Sequence, residues 1–236
     1  MVRYIKANRT EEFNESNRNL NAKDVWLKHF DGTQESVDSI CEILGIERED
    51  LTEAYIPNGV TKLGEYVFYN CTSLTSVTIP NSVKTISSSA FEHCDSLTNI
   101  TIPDSVTSIE GGAFWNCTSL TSVTIPDSVT EIGWYAFAHC ISLKSITIPD
   151  GVTSIGGSTF VGCDSLTNIT IPDSVTSIGS WALSGCTSLK SITIPDSVTR
   201  IGRAAFKGCT SLTVKTNNPY VIEYCEKNGV DYEDTM

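Results

Sequence analysis

Eight apolar slots recur along the chain every 23 residues. The unit Pro103–Ile125 shows them. Counted from the proline, Val106 lies at +3, Ile109 at +6, Ala113 at +10, Phe114 at +11, Cys117 at +14, Leu120 at +17, Val123 at +20 and Ile125 at +22. The spacing changes within the unit. Val123-x-Ile125 alternates, which predicts a strand. Val106-x-x-Ile109 follows a Pro-Asp-Ser turn and predicts a second short extended run. Ala113-Phe114-x-x-Cys117 has the spacing of a short helical turn. Gly64, Gly133, Gly156, Gly179 and Gly202 precede that turn, where a positive φ is expected. Each coil then reads strand, turn, short strand and helical turn, with strands adding in parallel about 4.8 Å apart.

The polar punctuation keeps the same step. Pro57, Pro80, Pro103, Pro126, Pro149, Pro172 and Pro195 are evenly spaced, as are Cys71, Cys94, Cys117, Cys140, Cys163, Cys186 and Cys209. A period in this range marks a solenoid, in which one coil cannot fold alone and its neighbours supply its core. The slots tolerate few exceptions: Leu183 replaces Phe, and Val67 and Thr159 replace Ala.

The ends break the pattern. Leu51, Ala54 and Ile56 form a half-repeat that opens the sheet, and Arg48 occupies the cysteine slot before them. Val37, Ile40, Cys41 and Leu44 make a helical stripe between a Thr33 N-cap and a Gly45 stop. Ala22, Val25, Trp26, His29 and Phe30 predict another helix. A helix-turn-helix centred on Ile43-Leu44-Gly45-Ile46 is disfavoured, because the strand at Leu51 leaves no room for a recognition helix. After Leu212, Lys215 and Asn217 stand where an apolar pair is expected. Asn218-Pro219 then starts a helix running to Asn228, burying Val221, Tyr224 and Cys225, with Gly229 as its stop. Val230 and Tyr232 predict a last strand. The expected organisation is an N-terminal helical cap over 1–50, a solenoid of a half-repeat plus seven repeats over 51–214, and a C-terminal cap over 215–236.

The core Leu120-x-x-Val123-x-Ile125 is that of a leucine-rich repeat. The fuller pattern, Leu-x-x-Ile-x-Ile-Pro-x-x-Val-x-x-Ile-x-x-x-Ala-Phe-x-x-Cys, resembles the BspA-like class of bacterial leucine-rich repeats over about residues 51–214. The resemblance implies an α/β solenoid: a curved, right-handed array with a parallel sheet on its concave face and short helical turns on the other side. It also implies a surface or secreted protein concerned with adhesion or protein binding, and it carries no catalytic residues over.

Composition narrows the function. The 236 residues are 40% hydrophobic, too apolar for a disordered chain, and the net charge is −12. Nucleic acid and anionic membranes are unlikely partners for a chain without a basic cluster. The start, Met1-Val2-Arg3-Tyr4-Ile5-Lys6, has no apolar core, and no run of about 18 apolar residues occurs, so no membrane insertion is expected. As the chain stands this implies a cytoplasmic protein with reduced thiols, or a secreted or surface one if the sequence is trimmed. The four glycosylation sequons within the repeats, such as Asn70-Cys71-Thr72, are by-products of a Thr-rich unit.

Candidate chemistry is sparse. Seven equivalent thiols cannot all pair and lack the spacing of a metal site, so the cysteine column reads as buried packing. Asp104, Asp127, Asp150, Asp173 and Asp196 suit turns better than a cation site. His93 and His139 lie two coils apart, too far to share a metal. Ser73, Ser96, Ser119, Ser142, Ser165, Ser188 and Ser211 read as a hydrogen-bonded ladder. No cofactor, metal site or catalytic set is expected. A specific site needs residues that break the repeat, and slots +8, +9 and +12 supply them: Tyr66, Tyr69, Trp115, Trp134, Tyr135 and Trp181. Lys144 and Lys190 interrupt a threonine row beside the strands. The expected function is a non-enzymatic scaffold that binds another protein. The alternative is a carbohydrate-recognising, adhesin-type surface protein.

Overall fold

A computed structural model describes residues 22–235, so the first 21 residues of the expected N-terminal cap, and Met236, lie outside the described residues. Two helices come first, α1 (Ala22–His29) and α2 (Gln34–Leu44). The Thr33 side chain caps α2 by accepting from the Ser36 N–H, and Gly45 ends it at φ 68°. The coils follow: β1 (Glu53–Tyr55), β2 (Lys62–Leu63), β3 (Ser76–Thr78), β4 (Thr85–Ile86), β5 (Asn99–Thr101), β6 (Ser108–Ile109), β7 (Ser122–Thr124) and β8 (Glu131–Ile132). They continue through β9 (Ser145–Thr147), β10 (Ser154–Ile155), β11 (Asn168–Thr170), β12 (Ser177–Ile178), β13 (Ser191–Thr193), β14 (Arg200–Ile201) and β15 (Thr213–Thr216). Helix α3 (Pro219–Asn228) and β16 (Asp231–Asp234) close the chain.

The result is a parallel β-solenoid of about seven coils with few helices. Odd-numbered strands line one side, joined at its end by β16, and the even-numbered strands from β2 to β14 line a second; up to β14 the step is 23 residues, as in Asn99↔Ser122 and Lys62↔Thr85. In the strands from β5 to β13 the central residue is buried and its two neighbours are exposed. The interior is columnar. Phe68, Phe91, Phe114, Phe137 and Phe160 stack nearly parallel with centroids 5.1–5.8 Å apart. The cap extends that column: Phe30 stacks on Phe68 at 5.9 Å, and Trp26 lies against both rings.

The third side is where sequence and structure differ. The expected helical turn is a string of i→i−3 turns, such as Trp115 N–H to Gly112 C=O and Cys117 N–H to Phe114 C=O. Every alternate N–H instead leaves the coil. Phe68 donates to Ala90 C=O, Phe91 to Ala113, Phe114 to Ala136, Phe137 to Thr159, Phe160 to Ala182 and Leu183 to Ala205. Since Ala90 C=O and Phe91 N–H belong to one peptide group, the six bonds form an unbroken column. Parallel columns run through slot +9, from Tyr66 N–H to Ser88 C=O onward, and slot +13, from Asn70 N–H to Glu92 C=O onward. All three point their N–H groups toward the C-terminal end.

That alternation needs left-handed backbone at +9 and +13 in every coil. The first slot holds Tyr66, Ser89, Gly112, Tyr135, Ser158, Trp181 and Ala204; the second holds Asn70, His93, Asn116, His139, Gly162, Gly185 and Gly208. The +7 glycines are not among the positive-φ residues. They are there for approach: a Cβ on Gly133 would lie 2.4 Å from Gly111 N, and one on Gly202 2.2 Å from Ser180 N.

Side-chain ladders also differ from expectation. Hydroxyls tie coils together from Ser105, Ser128, Ser174 and Ser197, each to the preceding coil's valine carbonyl, and from threonines such as Thr121, Thr130 and Thr118. Of the serines two residues after each cysteine, Ser73, Ser96, Ser165 and Ser188 contribute backbone bonds, as Ser96 N–H does to Thr72 C=O. Where the Asp turns were expected to close on side chains, the backbone closes them, Val106 N–H to Pro103 C=O. In the last unit β15 pairs Ser191 with Thr213, 22 residues on. This one-residue slip turns Val214 and Thr216 inward and leaves Lys215 half-buried rather than in the core.

The thiols are hydrogen-bond donors, buried except for the half-buried Cys209. Cys94, Cys117, Cys140, Cys163, Cys186 and Cys209 each reach the slot +11 carbonyl of the preceding coil at 3.1–3.3 Å. Burial pushes the Cys71 and Cys163 thiols up to about 12. Arg48, in the cysteine slot of a coil that is not there, caps the near end. Its guanidinium donates to Val67 C=O at 2.9 Å, to Tyr69 C=O at 3.4 Å and to Asp38 at 2.5 Å.

Two outcomes follow from this packing. Arg48→Met should cost about 1–3 kcal/mol, since it strips a charged donor from the part-buried Val67 carbonyl. Lysine should not restore that loss, lacking the planar fork. Hydrogen exchange should quicken at Phe68 and Asn70 and not at Leu183; equal exchange at both ends would refute the capping role. Secondly, a thiol held protonated in the fold contributes stability that is complete below its unfolded pKa of about 8.5 and lost as pH rises toward about 12. Unfolding free energy in reductant should therefore fall between pH 8.5 and 10.5. Cys163→Ala should make that fall shallower by up to about 1.4 kcal/mol per pH unit. Identical slopes would contradict the buried-donor role.

Candidate functional site

Slot +9 projects its side chain from a left-handed backbone, a conformation that costs a non-glycine residue about 1–2 kcal/mol. Three of seven coils nevertheless place a large aromatic there, Tyr66, Tyr135 and Trp181, at φ 56–60°. All three rings are exposed, and Trp134, at slot +8, is 69% exposed.

Trp134, Tyr135 and Trp181 come together around one groove of about 510 Å³. The indoles belong to coils two apart, about 10 Å by strand spacing. Its floor is made by Gly156, Gly157, Gly179, Ser180 and Gly202, with Arg200 at the edge. Coil packing dictates that floor. A Cβ on Gly156 would lie 2.7 Å from Trp134 Cδ1, and one on Gly179 2.5 Å from Gly157 N. Consecutive coils touch backbone to backbone here, leaving a strip without bulky side chains between the rings. On its other side Trp134 borders a groove that includes Glu110 and Glu131.

The remaining candidates lie elsewhere. Tyr66 and Tyr69 meet edge-on at 5.7 Å, and Tyr69 meets His93 at 6.1 Å, at the N-terminal end. Trp115 is half-buried and stacks on Tyr135 at 5.8 Å; its indole N–H has no acceptor among the described residues. Lys144 and Lys190 are exposed immediately before β9 and β13 and do not line the groove. They interrupt hydroxyl bonds of the kind Thr121 makes to Thr98 C=O. The sequence reading missed the glycine floor and Lys207, whose ammonium sits 5.1 Å from the Trp181 ring centroid. The run of +7 glycines through Gly133, Gly156, Gly179 and Gly202 was the available signal. Among the described residues, no group of three or more His, Cys, Asp or Glu side chains could hold a metal ion, and no helix is long and apolar enough to cross a membrane.

The sequence model for the BspA type leucine-rich repeat region matches residues 47–163 and 130–228, in six copies. Among solved structures, a leucine-rich cell surface protein from Faecalibacterium prausnitzii is 43% identical over 72% of this chain, with a TM-score of 0.65. A leucine-rich repeat protein from Bacteroides ovatus is 33% identical over 80%, with a TM-score of 0.60. The T. pallidum leucine-rich repeat protein is 27% identical over 78%, at 0.55. The chain spans about half the length of the first two, 48% and 52%, and 73% of the third. No curated protein matches. No enzymatic family is indicated by these similarities.

Trp134→Ala should leave the unfolding free energy within about 0.5 kcal/mol, as expected for an exposed side chain. It should also remove the tryptophan emission most accessible to acrylamide. A large loss of stability would show that the ring covers the core instead of offering itself to a ligand.

Proposed function

We propose that this chain, which belongs to the BspA-type leucine-rich repeat family, is a non-enzymatic scaffold that binds another protein through the groove between Trp134 and Trp181. The observation that carries this reading is the pairing of exposed rings with a backbone-lined floor. Aromatic anchors beside a recess are the usual centres of protein interfaces. The strand face offers less discrimination: its outward residues repeat Ser, Asn and Thr with little variety. Residues 47–228, the matched span, are taken as the binding unit.

Glycan recognition is the second reading. It is favoured by two indoles about 10 Å apart over a floor of glycine, room for a sugar ring to stack. The cell-surface description of the Faecalibacterium protein favours an extracellular setting over the cytoplasm. The buried, protonated thiols suit either compartment.

The test compares the full chain with a Trp134→Ala/Trp181→Ala double variant, as baits for surface proteins and on a glycan array. A specific protein captured by the parent should be retained at least tenfold less by the double variant, and undiminished by Lys144→Ala/Lys190→Ala. Equal capture by the double variant removes the groove from consideration. Binding confined to the array establishes the glycan reading in its place.

A further inference from the structure

The three peptide columns of the turn side give the solenoid a direction. Each links seven peptide groups head to tail, the arrangement found in the hydrogen-bonded spines of an α-helix. Aligned peptides of about 3.5 D leave roughly half a positive charge at the N–H end of a helix and half a negative charge at the C=O end. The carbonyl end here, at Val67 and Tyr69, is met by the Arg48 guanidinium. Among the described residues the opposite end has no such partner. Trp181, Leu183 and Gly185 donate to the carbonyls of Arg203, Ala205 and Lys207. The N–H groups that continue those columns, on Ala204, Phe206 and Gly208, find no acceptor among the described residues.

The C-terminal cap stands over them without supplying an acceptor. Its β16 continues the strand sheet beside β15. The Tyr220 hydroxyl accepts from Ile201 N–H at 2.9 Å, and the Tyr224 hydroxyl accepts from Ala205 N–H at 3.2 Å. Between α3 and the last turn lies a cavity of about 490 Å³ lined by Ala204, Phe206 and Gly208, with Arg203, Lys207 and Trp181 at its rim and Asp231 opposite. Between Asp196 and Glu223 the chain carries Arg200, Arg203, Lys207 and Lys215 and no acidic side chain, in a protein of net charge −12.

We propose that this end of the columns binds an extended acidic segment of a partner protein, whose alternate backbone carbonyls accept from Ala204, Phe206 and Gly208 while its carboxylates meet Arg203 and Lys207. The array shows what such a ligand must present, because each coil offers its predecessor three carbonyls from alternate residues. A row of donors at alternate residues suits an added chain better than a small ion, which needs converging ones. The site is independent of the groove between the indoles, although Trp181 borders both.

The test is amide NMR on the ¹⁵N-labelled full chain, titrated with a blocked peptide of alternating glycine and glutamate. The Ala204, Phe206 and Gly208 amides should shift saturably, and an Arg203→Glu/Lys207→Glu variant should bind at least tenfold more weakly. Trp134→Ala should leave the affinity unchanged, which separates this site from the groove. The proposal is overturned if those three amides stay fixed, if the matching lysine peptide shifts them equally, or if free glutamate or inorganic phosphate does so at the same carboxylate or phosphate concentration.

Discussion

On the turn side of this solenoid the peptides at slots +9, +11 and +13 all point their N–H groups toward the next coil, and each coil has to meet that direction. A parallel sheet alternates its donors and acceptors along a strand, so its dipoles largely cancel. The turn columns add. To send alternate N–H groups to the next coil, the chain must alternate right- and left-handed backbone, which fixes +9 and +13 as positive-φ slots. The same alternation leaves the slot +11 side chain facing inward, where the Phe rings stack. It also leaves the slot +11 carbonyl able to take a second bond, from the thiol of the following coil, as Cys117 gives to Phe91. Phenylalanine, cysteine and the left-handed residues are thus three consequences of one hydrogen-bond direction.

Much of this was legible from spacing alone. The step of 23 residues, the strand around Val123, the second run ending at Ile109, the Thr33 and Gly45 caps and the Asn218 N-cap all rest on local rules and all reappear in the structure. The misreadings share a cause. The role of Gly133 depends on how closely Gly111 of another coil approaches it, and the i, i+3, i+4 spacing around Phe114 matches tandem turns as well as a helix. The hydroxyl bonds depend on which carbonyl a neighbouring coil presents. Nothing within one repeat contains that information. One signal was available. Slot +13 reads Asn, His, Asn, His, Gly, Gly, Gly, the residues most tolerant of left-handed backbone. The slip at Val214 was visible only as an apparent loss of pattern at Lys215.

The candidate groove shows how a repetitive scaffold acquires a particular site. Consensus positions are committed to stacking, so variation is confined to slots whose side chains leave the coil. Placing Tyr135 and Trp181 at +9 sets an aromatic on backbone that favours glycine, a cost the fold itself does not require, since Gly112 fills the same slot. The aromatic residues were recognisable in the sequence as repeat-breaking. Their grouping was not. It arises because Gly156, Gly179 and Gly202 bring three backbones together beneath them, while Tyr66 and Tyr69, equally aromatic, sit at the far end over no such floor.

A directional stack also makes its two ends chemically unlike, and the caps reflect this. The N-terminal end presents carbonyls and is closed by donors: Arg48 reaches Val67 and Tyr69. At the C-terminal end the columns present N–H groups, which the cap leaves unmet; its tyrosine hydroxyls accept beside them, Tyr220 from Ile201 and Tyr224 from Ala205, and Tyr224 also donates to Gly202 C=O. Asn218 does both jobs of its position. Its Oδ1 caps α3 at Tyr220 N–H, and its Nδ2 takes over at Val198 C=O the bond that a serine makes in earlier coils. A cap in such an array is therefore more than an apolar lid. Exchanging the two caps, even with matched hydrophobic area, would set a guanidinium, which can only donate, against N–H groups. Polarity of the peptide columns, rather than surface to be covered, is what assigns arginine to the carbonyl end.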